Sequence, residues 1–150
     1  MKRDNRLSAV LHAILHLAES GAPMTSDALA TCMRTNPVVV RRIMAGMRDA
    51  GIVTAARGHG GGWALARPLS ETTLSDVHAA LGSPDLLGFG GNCEPSACLL
   101  EQAVDAALES ERRAAEHRLL ERMKHIRLSE LAADFERRLI ANGKGHHHDS

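Results

Sequence analysis

Asn36-Pro37-Val38-Val39-Val40-Arg41-Arg42-Ile43-Met44-Ala45-Gly46-Met47-Arg48 is the stretch on which the fold turns. Asn is a strong N-cap and Pro suits the first helical turn, so Asn36-Pro37 opens a helix. Val40, Ile43, Met44 and Met47 recur at helical spacing and form its buried stripe, and Gly51 ends it. The opposite face carries Val38, Arg41, Arg42, Ala45 and Arg48. Just upstream, Thr25 or Ser26 caps a shorter helix whose apolar face is Ala28, Leu29, Cys32 and Met33. Only Thr35 and Asn36 separate the two runs, which predicts a tight helix-turn-helix. A first helix lies before them, with the stripe Leu7, Val10, Leu11, Ile14, Leu15 and Ala18, stopped by Gly21 and Pro23.

Downstream, Ile52 to Arg57 and Trp63 to Arg67 are short and strand-like, joined by Gly58-His59-Gly60-Gly61-Gly62. Four glycines in five positions leave a tip bare of side chains except His59, able to approach another surface closely. Three helices followed by a β-hairpin is the order of a winged helix. Thr73-Leu74-Ser75-Asp76 resembles a capping box and starts a short helix through Leu81, closed by Gly82. Ser83 to Asn92 reads as a Gly-rich loop. A long helix is expected from Pro95 to about His125, with Leu99, Leu100, Ala103, Val104, Ala107, Leu108, Ala114, Ala115, Leu119 and Met123 at three-to-four spacing. Its length of roughly 45 Å exceeds what one small domain can cover, so part of the apolar face is expected to meet a second copy. A last helix carries Leu131, Phe135 and Leu139 and ends near Gly143.

The expected fold is therefore mainly α, a winged helix-turn-helix with a two-stranded wing and a long C-terminal dimerisation helix. The expected division is residues 1–67 for the DNA-binding domain and 68–92 for a short helix and Gly-rich loop. Residues 93–143 then form the dimerisation and terminal helices, and 144–150 a disordered tail.

Composition narrows the function. Basic and acidic side chains balance at 18 each, yet residues 1–67 hold nine Lys or Arg against four acids, and residues 68–150 nine against fourteen. A basic half joined to an acidic half suits nucleic acid at one end and self-association at the other. No apolar run approaches the roughly 20 residues of a membrane span, and no signal peptide is evident. Three cysteines make no disulfide framework and point to a reducing, cytoplasmic setting. One Trp, two Phe and no Tyr argue against a stacking platform for single strands.

The chemistry sits on the third helix and the wing. Arg41 and Arg48 share a face, with Arg42 one step around, and Arg reads guanine or phosphate in the major groove. Arg57, beside the glycine tip with His59 and Gly60, is placed to enter a minor groove. Asn36, Val38, Arg41, Arg42, Arg48, Arg57, His59 and Gly60 are thus the candidate contacts to double-stranded DNA.

Together with Ala50-Gly51-Ile52-Val53, Arg57 to Ala66 and Leu74-Ser75-Asp76-Val77, the stretch Asn36 to Ile43 resembles the Rrf-two family. These are bacterial winged-helix repressors that include iron–sulfur and nitric-oxide sensors; the resemblance covers roughly residues 5 to 131 and lies closest to the YwnA-like branch. It implies a homodimer on a pseudo-palindromic operator, with Arg41 and Arg42 where the family reads bases and Arg57 where it enters the minor groove.

Cluster-binding members of the family place three cysteines in the loop before the dimer helix, whereas this chain has Cys93 and Cys98 there and no third. Two thiols at a helix start suit a redox switch, since the helix dipole favours the thiolate and a second thiol resolves a sulfenic acid. The alternative is a metal site or a [2Fe–2S] cluster on Cys93 and Cys98, completed by ligands such as Cys32 from a partner; the third is that the cysteines only pack. His78, His117 and His125 read as solvated or packed, and His146 to His148 as a tail with weak affinity for transition metals. A reading of another class is a thiol oxidoreductase using Cys93 and Cys98, for which there is no Cys-x-x-Cys, phosphate loop or Ser/His/Asp set.

Overall fold

The computed structural model describes residues 6–58, 61–87 and 98–143. Helices α1 (Arg6–Ser20), α2 (Ser26–Met33) and α3 (Pro37–Asp49) lead into an antiparallel hairpin of β1 (Val53–Ala56) and β2 (Gly62–Leu65). A single 3-10 turn (Leu69–Glu71) precedes α4 (Leu74–Ala80), and α5 (Leu99–Met123) and α6 (Leu128–Ala141) complete the chain. This is the winged helix expected, with strands shorter than the apolar runs suggested.

Local chemistry sets the helix starts. Thr25 caps α2 by accepting from the Ala28 N–H at 3.1 Å, which leaves Ser26 free for another task. Thr73 and Asp76 form a complete capping box on α4, with bonds of 3.1 Å and 2.8 Å. The connection from α2 to α3 is one residue longer than expected. Arg34 joins Thr35 and Asn36 in the turn, in the left-handed region at φ 53°, and its N–H satisfies the carbonyl end of α2.

Val10, Ala13, Ile14 and Leu17 of α1 pack with Leu29, Ala30 and Met33 of α2 and Val40, Met44 and Met47 of α3. The buried face of α1 is rotated from the stripe read in sequence: Leu17 is inside, Leu11 and Leu15 lie at the margin and Ala18 is exposed. On α2 the exchange is similar, Ala30 buried and Ala28 exposed, because that helix is covered by both α1 and α3. Ile52, Val53 and Trp63 close the core from the hairpin side.

Two further pieces of this core come from beyond residue 67. Val77 of α4 and Leu128, the first residue of α6, are both fully buried in the same cluster. Main-chain bonds pin the α5–α6 junction to the segment before α4: Leu74 N–H to Ile126 O at 2.8 Å and Leu128 N–H to Thr72 O at 2.9 Å. Arg127 adds a bond from Nη1 to Ser70 O at 2.6 Å. Gly46 allows α4 to approach α3, since a Cβ there would lie 2.8 Å from Ala80 O. The expected start of the long helix at Pro95 lies outside the described residues; Cys98 is the N-cap and the helix ends at Met123, short of His125.

Candidate nucleic-acid interface

Asn36 fixes the start of α3, its Oδ1 accepting from the Val39 N–H at 3.0 Å. The cap commits the side-chain oxygen to the backbone and leaves the amide NH2 as a donor toward solvent. Val38 is 59% exposed, and Arg41, Arg42 and Arg48 are exposed with it, Ala45 being half-buried. Arg41 and Arg42 have no acidic partner among the described residues. Arg48 holds Asp49 only loosely, Nη2 to Oδ1 at 3.6 Å on the surface, a pairing of small worth that a phosphate can replace.

Arg57 follows β1, exposed and likewise without an acidic partner among the described residues. Gly58, at φ 90°, accepts the Gly61 N–H at 3.0 Å across the wing. Part of the glycine content has an internal cause. A Cβ on Gly61 would sit 2.4 Å from Ala56 O, and one on Gly62 2.5 Å from Met24 O. His59 and Gly60 lie outside the described residues.

What aims the wing is a contact absent from the sequence reading. Met24 and Trp63 exchange both main-chain bonds, at 2.9 Å and 2.8 Å, adding a third short edge to the hairpin. The Trp63 indole N–H donates to Ser26 Oγ at 3.0 Å, so wing and helix-turn-helix are tied at the start of α2. Arg67, which charge alone would add to the basic surface, is engaged internally with Thr72 (3.1 Å) and Asp76 (3.5 Å). Arg34, exposed in the turn, is a cation that the sequence reading passed over; Arg is not a residue that advertises positive φ.

Of the candidate sensor residues, Cys98 is exposed at the N-terminus of α5, and the backbone N–H groups of Glu101, chiefly, and Leu100 hold its thiol below the ordinary value. Cys32 is half-buried in α2. Cys93 lies outside the described residues. A [2Fe–2S] cluster takes four ligands, and the whole chain has three cysteines, so its own thiols do not furnish the set. Among the described residues no three His, Cys, Asp or Glu side chains are grouped to hold a metal.

Comparison with known proteins agrees with this fold. Residues 3–134 match the family described as "Rrf2: Iron-dependent Transcriptional regulator". YwnA of Bacillus subtilis strain 168, described as an HTH-type transcriptional regulator, is 29% identical over 119 residues, covering 77% of this chain and 89% of that one. Among solved structures, a transcriptional regulator from Lactobacillus plantarum superposes with a TM-score of 0.68 at 22% identity, covering 89% of this chain and 91% of the other. CymR, the global cysteine regulator of B. subtilis, gives a TM-score of 0.61 at 20% identity, covering 89% and 97%.

Proposed function

Because the chain belongs to the Rrf2 family of winged-helix transcriptional regulators, which bind DNA and are not enzymes, we propose that it acts as a homodimeric repressor whose operator is read by α3 and the wing. The observation that carries this is the exposed row Val38, Arg41, Arg42 and Arg48 behind a cap at Asn36, with two of the arginines unneutralised. Arg41 and Arg42 supply base-edge or phosphate contacts in the major groove, Val38 an apolar contact suited to a thymine methyl, and Arg57 the wing contact in the minor groove.

Dimerisation rests on α5. Leu100 (71% exposed), Val104 and Leu108 (59%) follow one another at four-residue steps, with Leu99 beside them, and Met123 is the one fully buried residue of that helix. This exposed apolar stripe is the surface proposed to meet a second copy, which would also supply the two-fold symmetry of a palindromic operator. The test is binding to duplex DNA against salt. Wild type should lose affinity steeply as salt rises. Arg41→Ala or Arg42→Ala should each cost about 1–3 kcal/mol and relax base preference. Equal binding by an Arg41/Arg42/Arg57 triple alanine variant defeats the reading.

The switch proposed is thiol oxidation. A hydroperoxide takes two electrons and two protons from two thiols, forming a disulfide between Cys98 and Cys93, or between one of them and Cys32 of the partner subunit, and leaving water and an alcohol. The lowered pKa of Cys98 supports its role as the attacking thiolate. Its helix leads to the junction bonded to residues 70–74, and from there α4 leans on α3 at Gly46. Mild oxidant should weaken operator binding, and Cys98→Ser or Cys93→Ser should remove that response while leaving reduced binding intact. A full response in both variants rules the switch out.

A further inference from the structure

The flank of α1 that faces away from the core carries His12 and His16, one helical turn apart. Their ring centroids are 4.8 Å apart and their planes tilt by 33°. His12 is exposed and the His16 side chain is one-third exposed, so solutes reach both. Neither is used by the winged-helix core or by the proposed DNA contacts.

We propose that His12 and His16 form a surface site for a divalent late first-row metal ion, one imidazole nitrogen from each ring binding the same ion. Two imidazole nitrogens at about 2.0–2.1 Å from one metal put each ring centroid about 3.2 Å from it. A 4.8 Å separation then corresponds to a nitrogen–metal–nitrogen angle of about 100°, between the octahedral and tetrahedral values. The spacing of the two rings is thus the one a shared ion requires.

Glu19 Oε2 lies 3.8 Å from His16 Nδ1, too far for a hydrogen bond but near enough to add negative charge beside the pair. The ligating form is the neutral ring. The remaining coordination positions belong to water, since no third protein ligand is grouped with the pair among the described residues. Imidazole donors suit Ni²⁺, Cu²⁺ and Zn²⁺, with Cu²⁺ the tightest. Bound at i and i+4, the ion clamps one turn of the helix that packs against α2, β2 and α4.

The test uses the full chain with His146, His147 and His148 changed to Ala, so that the tail does not compete. Ni²⁺ is the probe, because it prefers imidazole and leaves thiols unoxidised. One equivalent should bind by calorimetry, and at a hundredfold excess over Kd the melting temperature should rise by about 5–10 °C. His12→Gln and His16→Gln should each weaken Ni²⁺ binding at least tenfold, since each destroys the chelate, while Glu19→Gln, which only removes a nearby negative charge, should weaken it a few-fold. The metal-free melting temperature reports whether each variant folds, and His12→Ala and His16→Ala serve where a Gln variant does not. Absence of Ni²⁺ binding in the tail-substituted chain, or unchanged affinity in the single variants, overturns the site.

Discussion

Leu128→Ala puts the connection between the C-terminal helices and the DNA-binding core to a quantitative test. Leu128 opens α6, is 1% exposed, and belongs to the same cluster as Val10, Met44 and Trp63. Removing three buried carbons forfeits about 2.4 kcal/mol of transfer free energy at about 0.8 kcal/mol per methylene. A void that fails to collapse adds about 1 kcal/mol, at about 24 cal/mol per Å³ over some ~50 Å³. Collapse is hindered because the Leu128 N–H is bonded to Thr72 O and Arg127 is bonded to Ser70 O, so the backbone on both sides is held. The expected loss is thus about 3–4 kcal/mol, a drop in melting temperature of about 6–16 °C for a chain of this size. Urea unfolding followed by Trp63 fluorescence, from inside the winged helix, is the assay. A single transition whose midpoint shifts by that amount means that α6 and the winged helix unfold together. A Trp63 transition within about 0.5 kcal/mol of wild type refutes the reasoning and makes the winged helix independent of α6.

Three more outcomes follow from the same structure. Gly46→Ala gains about 1 kcal/mol of helix propensity but drives a Cβ to within 2.8 Å of the Ala80 carbonyl; overpacking of about 1–3 kcal/mol should outweigh the gain, so thermal unfolding should show net destabilisation. Asn36→Ala removes the bond to Val39 N–H and should cost about 1 kcal/mol in urea unfolding, with a further loss of DNA affinity wherever the amide NH2 contacts the operator. Cys98, its thiol pKa lowered by the Glu101 and Leu100 N–H groups, carries more thiolate at neutral pH than an ordinary cysteine. Its iodoacetamide rate should therefore rise through a midpoint below that of a cysteine in an unstructured peptide measured alongside, and a midpoint at or above the peptide's contradicts the backbone N–H contacts.

The elements legible from residues alone are those whose causes are local. Asn36 with Pro37, and Thr73 with Asp76, act over three or four positions and cap α3 and α4 as read, and a hairpin joins β1 to β2 where the glycines at Gly58, Gly61 and Gly62 placed it. The arginine row of α3 was legible for the same reason, since helical spacing places Val38, Arg41, Arg42 and Arg48 on the side opposite Val40, Met44 and Met47. Where two neighbours competed for one task, the sequence left the choice open. Thr25 and Ser26 are both good caps, and only the arrival of Trp63 from 37 residues away assigns Ser26 to the indole.

The amino-acid order by itself determined the helix-turn-helix, the wing and the exposed cationic row, because capping, positive φ and hydrophobic period are properties of short segments. Tertiary structure alone decided that Leu17 rather than Ala18 faces inward and that Arg67 is consumed by Thr72 and Asp76. It also decided that Met24 extends the hairpin and that Leu128 closes the core. Each of those outcomes depends on which surface arrives opposite a residue. An apolar periodicity states that a face will be covered, but the partner comes from far along the chain and no local pattern encodes it.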